Sequence, residues 1–506
     1  MDDKVIVTNL TALTQKYGSS GVKKIKAAVK KLIAADKKRG LKTTLIALDD
    51  AASMKKLGAP HVSKSKDPKQ NKLAIDGVYK KLAPDYLMIL GSIDVVPHQD
   101  LRNPMFDPPD DEDKFAFGDI PYACDAPYSR SPENFTGPTR VLGRLPDLTG
   151  AGDPAYLIGL LETATNYKSR PFSDYSTCFS ISAKVWSGST ELSLDNMFGT
   201  NVDLQLSPKT GPKWPSKLLS RRVHFINCHG AETSHEFFGQ LGEDFPVSHD
   251  AAMLGGKISE GTITSAECCY GAQLYDSSLL ANGQAGICST YLENKAYGFF
   301  GSTTIAYGPP DGNGSADLVC QFFVLQVLGG ASLGRAALEA RQQFIAAEPQ
   351  MDPADVKTLA QFILLGDPSI HPVSVPKPSV AVSKAAAGDA VDRSGRRQQL
   401  NAKGAFLAKS QPVASSSPKA KRSSSLSNVL YKIAKKANMK DCSIRSFAIK
   451  RTRKPKSALA KAITPSAFHV VLGSTPAKNP RIPQVVAVVA KEVAGKIVSY
   501  RELQRR

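Results

Sequence analysis

The run Pro84-Asp-Tyr-Leu-Met-Ile-Leu-Gly-Ser-Ile-Asp-Val-Val-Pro97 is apolar without alternating. A strand with one wet face alternates apolar and polar residues, whereas a continuous apolar run needs cover on both faces, as in a parallel sheet. Its surroundings follow the same rule. VIVTNL leads into GVKKIKAAVKKLIAADKKRG, where Ile25, Val29, Leu32 and Ile33 recur at helical spacing, and then into TTLIALDD. Further on, KVWSGS, VHFINCHG, TITSAECC, GICST and GFFGSTTIAYG read as strands, separated by the helix candidates DLVCQFFVLQVLGG and SLGRAALEARQQFIAAE. Strand and helix alternation of this kind predicts an α/β fold with a mostly parallel sheet flanked by helices, and such sheets bind ligands at the carboxyl ends of their strands.

At 506 residues the chain exceeds one compact core. Composition shifts after Pro372. Residues 373–428 are rich in Ser, Ala, Lys and Pro and read as a disordered basic linker, and 429–506 as a small basic C-terminal segment. In that segment NVLYKIAKKANMK suits a short basic helix, AFHVVLG a strand and QVVAVVAKEVAGKIVSY a helix. Before the shift, 1–80 forms an N-terminal α/β portion and 81–372 the main region.

The net charge of +19 divides unevenly. Residues 373–506 hold 28 Lys and Arg against 5 Asp and Glu, and 1–372 hold 37 against 41. A polyanion or acidic-protein contact is therefore a property of the tail alone, where KAKRSSS and KRTRKPK are its candidates. Stacking aromatics are sparse there, which disfavours a base-reading head. No run is long and apolar enough for a membrane span, and MDDKVIVTNL has no signal-peptide pattern. Eight cysteines, two of them adjacent, suit a reducing compartment, so the expected location is cytoplasmic.

Two strand ends carry reactive groups. VHFIN (223–227) runs into Cys228-His229-Gly230, and TITSA (262–266) into Glu267-Cys268-Cys269-Tyr270-Gly271. If these strands are neighbours, an imidazole meets a thiol at one sheet edge. An imidazole can take a thiol proton, and glycine beside each lets backbone N–H groups approach a developing oxyanion. His229 is the candidate base and Cys268 the candidate nucleophile, with Cys269 as the alternative. The N–H groups of Gly230 and Cys268 are the candidate oxyanion donors.

These segments resemble the gingipain family of cysteine peptidases, relatives of caspases and clostripain. FINCHGAETS is similar to that family's strand ending in the catalytic His-Gly, and ITSAECCYG to its nucleophile strand, with Cys268 and Gly271 in a Cys-x-x-Gly form. Cys269 and Gly271 instead resemble the caspase Cys-x-Gly form. PDYLMILGSIDVVP, TRVLGRLPDLT, YLIGLLETATNY and FILLGDPSIHP extend the likeness over roughly 80–372. The resemblance implies a caspase-like fold and a cysteine endopeptidase acting on a peptide or protein substrate, with a preference for basic residues. It implies no cofactor for the chemistry, with calcium as a possible accessory. In GDIPYACDAPY it points to Asp119 and Asp125 as orienting or substrate-binding candidates; Glu232, after the His-Gly, is a further candidate for those roles and otherwise reads, with His235, as a pocket-rim or solvated residue.

Other readings compete. His229, His235, Cys268 and Cys269 offer a zinc-like donor set, but structural zinc sites space paired cysteines by two to four residues, so no metal site is assigned. Cys228 and His224 are packing residues, and Gly366-Asp367-Pro368 is a turn that closes the domain. The rival function is a catalytically silent caspase-like scaffold whose basic tail binds nucleic acid or an acidic partner.

Overall fold

The computed structural model describes residues 2–108, 110–199, 202–348, 350–374, 393–410, 412–418, 422–450, 467–474 and 484–506. Its centre is a ten-stranded sheet. In chain order the strands are β1 (Lys4–Thr8), β2 (Thr43–Ala47), β3 (Tyr86–Leu90), β4 (Leu142–Leu145), β5 (Cys178–Ala183), β6 (Leu204–Ser207), β7 (Val223–Asn227), β8 (Ile263–Ala266), β9 (Gly298–Ser302) and β10 (Phe362–Gly366). Their order across the sheet is β2-β1-β3-β4-β10-β9-β8-β7-β5-β6. Every neighbouring pair is parallel except β9 with β10. β7, β8, β9 and β10 are buried along their whole length, as strands covered on both faces are. The fold is thus mixed α/β, with a large and mostly parallel sheet flanked by helices.

The helices that matter below begin with α1 (Leu10–Lys38), started by Asn9, whose side chain accepts from Ala12 N–H. Then come α2 (Ser315–Leu328), α3 (Leu333–Ala347) and α4 (Pro353–Gln361). Proline at the first position of α4 and the reciprocal cap of Asp352 and Asp355 fix where that helix starts. The Gly-Asp-Pro turn has a tertiary partner as well. Buried Lys4 of β1 binds Asp367, reaches Ser369 Oγ at 3.1 Å and pairs with Asp36 of α1 at 3.1 Å.

Several elements depart from the sequence reading. KVWSGS is not a strand: CFSISA forms β5, and Lys184–Trp186 is a single tight turn at its end. GICST lies in the short helix Ile287–Glu293. Within 373–428, expected to lack structure, α5 (Arg393–Ser410) packs beside α3, with Gln342 Nε2 donating to Leu400 O at 3.0 Å, and β11 (Val413–Pro418) follows. Residues 375–392, 411 and 419–421 of that linker lie outside the described residues.

The C-terminal segment adds β12 (Lys440–Lys450), β13 (Ala467–Ser474), β14 (Val485–Val493) and β15 (Lys496–Arg505), which form one sheet with β11 of the linker and with Tyr307–Gly308 of the main region. All pairs are antiparallel. Helix α6 (Ser424–Lys436) covers it through Leu430 and Ala434, which pack on Val471, Val486 and Val488. The stretch read as a helix, QVVAVVAKEVAGKIVSY, is the β14–β15 hairpin. Its valines favour strands, and Ala494 and Gly495, both at positive φ, make the tight turn that matches strand twist. Of the tail's basic motifs, KRTRKPK lies outside the described residues beyond its first residue.

The sheet is fastened to the larger body by charge. Arg501 of β15 donates to Asp352 at 2.8 Å and to Asp355 at 2.6 Å, the two carboxylates that cap α4. Among the described residues no helix is long and apolar enough to cross a membrane.

Replacing Lys4 with Met takes the Lys4 cation from buried Asp367 and leaves buried Asp36 with Arg39, at 3.3 Å, as its charge partner. We expect a stability loss of about 3–5 kcal/mol in urea unfolding. A loss below about 1 kcal/mol contradicts this role for the pair.

Candidate active site

Strands β7 and β8 lie side by side, with Ile226 opposite Ala266. Both therefore release their chains at the same sheet edge. After β7, His229 and Gly230 pair with Phe238 and Phe237 in a small antiparallel sheet. After β8, the chain passes through Glu267, Cys268 and Cys269 and turns at Tyr270, whose φ is 55°. The two turns press together: a Cβ on Gly230 would stand 1.8 Å from the carbonyl oxygen of Cys269. Only glycine permits that approach.

His229 Nε2 lies 2.8 Å from Oε1 of Gln240, and the Gln240 amide nitrogen donates to Gly242 O at 3.1 Å. The second bond orients the amide, so Nε2 of the imidazole carries the proton and donates. Nδ1 then presents its lone pair, and no described protein group bonds to it. The Trp186 ring covers the imidazole at a centroid distance of 4.3 Å, and Phe245 meets its edge at 5.1 Å. Burial, reinforced by Arg506 and Arg505, lowers the His229 pKa to about 3, so the ring is neutral at physiological pH.

The two cysteines face different surroundings. Cys268 Sγ lies 3.8 Å from the carbonyl of Ile226 in the neighbouring strand, and burial beside Cys228 holds its thiol well above the ordinary range. Cys269 Sγ accepts from Ala306 N–H at 3.2 Å. Burial pushes the Cys269 thiol up to about 11, with Arg505 pulling the other way.

The last strand of the described chain enters this edge. β15 pairs antiparallel with Tyr307–Gly308, and Arg506 N–H donates to Ala306 O at 3.0 Å. The main-chain oxygen of Arg506 accepts from two backbone donors, Gly230 N–H at 3.5 Å and Cys269 N–H at 3.3 Å. These converging amides belong to Gly230 and Cys269. The expected pair was Gly230 and Cys268; the tight contact of Gly230 with the Cys269 peptide brings in the later residue.

The Arg506 side chain fills a buried pocket. Nη2 donates to Asp317 Oδ1 at 2.9 Å and to Pro309 O at 2.8 Å, and the guanidinium stacks 4.3 Å from the Trp186 ring. Gly308 supplies room, since a Cβ there would stand 2.4 Å from Arg506 Nε. Asp317 sits in the first turn of α2, where the helix terminus favours an anion, and Ser189 Oγ donates to it at 2.7 Å. Burial and the Asp317 charge keep the neighbouring Glu267 carboxyl well above its usual range. The Trp186 indole N–H donates to Gln504 at 2.8 Å.

The remaining sequence candidates lie in other networks. Asp119 is buried against Arg144, at 2.8 and 2.6 Å, and His98 at 2.9 Å. Burial raises the Asp119 carboxyl, but Arg144 and His98 outweigh it and hold it far below the usual range. Asp125 is exposed and pairs with Arg140 at 2.9 Å. Both acids are thus committed to structural arginines and orient neither His229 nor a thiol. Glu232 is exposed on a rim beside His235. His224 is held by Tyr291 and Arg221, and Cys228 accepts from Ser248.

The zinc-like set is not assembled. Among the described residues, the one close group of metal-type donors is His235, Glu236 and Asp250. The two nitrogens of His235 already meet Asp250 at 3.0 Å and Asn282 at 3.1 Å. Calcium prefers an all-oxygen shell, which this trio does not provide.

Sequence reading missed Trp186, Gln240, Asp317 and the tail strand itself. Trp186 is one of only two tryptophans and stands at a strand end, a signal that was available. Gln240 and Asp317 carry no local motif and depend on tertiary placement.

The buried thiol and the seated strand together set an expectation for labelling. Iodoacetamide should modify Cys269 slowly at pH 7 and faster as pH rises toward 11. Arg506→Ala should accelerate the modification at pH 7 at least tenfold by freeing the edge. An unchanged rate, followed by peptide mass mapping, contradicts the placement of the strand.

No family model and no curated protein matches the chain. Among solved structures, a protease aligns over 99% of this chain and 96% of its own, at 12% identity and a TM-score of 0.49. Two structures of the Saccharomyces cerevisiae separase–securin complex each align over 46% of this chain and 14% of theirs, at 13% and 12% identity and TM-scores of 0.27 and 0.30.

Proposed function

We propose that the chain is a cysteine endopeptidase of caspase-like fold, with Cys269 as nucleophile, His229 as general base, and the N–H groups of Gly230 and Cys269 as the oxyanion hole. The observation that carries this reading is the Arg506 main-chain oxygen held between those two amides, where a scissile carbonyl would sit. It favours Cys269 over Cys268, because the amide of the attacking residue belongs in such a hole. The pocket around Asp317 makes arginine the preferred residue before the scissile bond.

In this mechanism a peptide replaces β15 beside Tyr307–Gly308. The Cys269 sulfur attacks its carbonyl carbon, and the thiol proton passes to Nδ1 of His229. Gln240 holds the other nitrogen and so fixes the ring's tautomer and direction. The tetrahedral oxyanion rests on two amides. As it collapses, the carbon–nitrogen bond breaks and the amine leaves with the His229 proton. Water then attacks the thioester, returning the proton to sulfur and releasing the acid. Thiol and imidazole are both neutral while the tail is seated, which suits proton transfer during attack better than a standing ion pair.

The scaffold reading gains less support. Three of the tail's cations, Arg501, Arg505 and Arg506, are turned inward onto acids of the main region.

Turnover of a peptide ending in Leu-Gln-Arg-Arg before an amine reporter should vanish with Cys269→Ala. It should persist with Cys268→Ala, whose cost is mainly packing, about 1 kcal/mol of stability. The reverse pattern moves the nucleophile to Cys268. A separate kinetic split tests the positioning residue: Gln240→Ala should lower kcat roughly 10–100-fold with KM little changed. A loss confined to KM would make Gln240 a substrate-binding group.

A further inference from the structure

The residue before Arg506 is also seated in a defined place. Arg505 is 3% exposed, and its Nη1 and Nη2 lie 3.3–3.4 Å from the Glu112 carboxylate. Its backbone is opposite Tyr307 in the strand pairing that positions Arg506. Two tyrosines, Tyr307 and Tyr270, lie near the Arg505 guanidinium, and both are anchored by acids from the loop that carries Glu112. Tyr307 O–H donates to Asp111 at 2.9 Å and Tyr270 O–H to Asp113 at 3.0 Å. Asp111 is neutralised by buried Lys357 at 2.6 Å, and Asp113 also accepts from Ile305 N–H. Glu112 has neither engagement. Its side chain is 46% exposed and meets the Arg505 guanidinium.

The loop therefore spends two carboxylates on building the walls and presents one to the occupant. We propose that the cleft reads paired arginines before the scissile bond, the first through Glu112 and the second through Asp317, and that residues 503–506 are its competitor in cis. The substrate class is a peptide or protein segment with an exposed Arg-Arg. This rests on the peptidase reading and extends it by one subsite. Glu112 acts here as a specificity residue.

Two fluorogenic peptides, Leu-Gln-Arg-Arg and Leu-Gln-Ala-Arg reporters, test it on the full chain. Wild type should prefer the first about tenfold in kcat/KM, the range of one charge-assisted contact. Glu112→Gln should collapse that ratio toward one, and Glu112→Arg should favour a Leu-Gln-Glu-Arg reporter instead. Equal rates in wild type, or a ratio that survives Glu112→Gln, overturn the proposal. If no peptide turns over, the peptidase reading fails, and the subsite is read by protection of Cys269 from iodoacetamide in the Arg505→Ala chain. The Arg-Arg peptide should then protect at a concentration about tenfold lower than the Ala-Arg peptide, and equal protection overturns the subsite.

Discussion

The pairing of β7 with β8 is the constraint on which the site depends. Parallel neighbours in register deliver both chains to one edge, so His229-Gly230 and Cys268-Cys269 meet without any further device. The contact between Gly230 and the Cys269 peptide follows, and with it two amides aimed at a single point. The sheet's burial sustains this arrangement, because strands covered on both faces cannot slip register without moving their whole apolar set.

Around that edge the chain uses charge for two purposes. Lys4 with Asp36 and Asp367 ties the first strand to the last turn of the main region, and Arg501 ties the terminal sheet to the α4 cap. Closer in, Asp317 and Glu112 each meet an arginine of the terminal strand. The positive tail and the slightly negative main region are thereby complementary where they touch. A charge that in the sequence suggests polyanions is partly satisfied within the molecule.

Much of the fold was legible because continuous apolar strands and helical periodicity are strong local signals. β3, β7 and β8 stand where their patterns put them. The tail was harder. Its β14–β15 hairpin has apolar residues on both faces at the start of β14, so periodicity alone could not separate strand from helix, although the run of valines and the Ala-Gly turn favoured strands. In the site, His229-Gly230 and the adjacent cysteines stood out as strand-end chemistry. Which amide joins Gly230 did not, since it depends on a backbone turn at Tyr270. Asp119 and Asp125 sat in a suggestive loop, yet their partners Arg144 and Arg140 come from sequence that gives no hint of pairing.

The proposed mechanism stands on the identity of one sulfur. The full chain should be treated with a Leu-Gln-Arg-Arg chloromethyl ketone, digested, and fragmented between residues 268 and 269 in the mass spectrometer. The adduct is expected on Cys269, and it should form more slowly when Asp317 is replaced by Asn. An adduct on Cys268, or none on either cysteine, would contradict it.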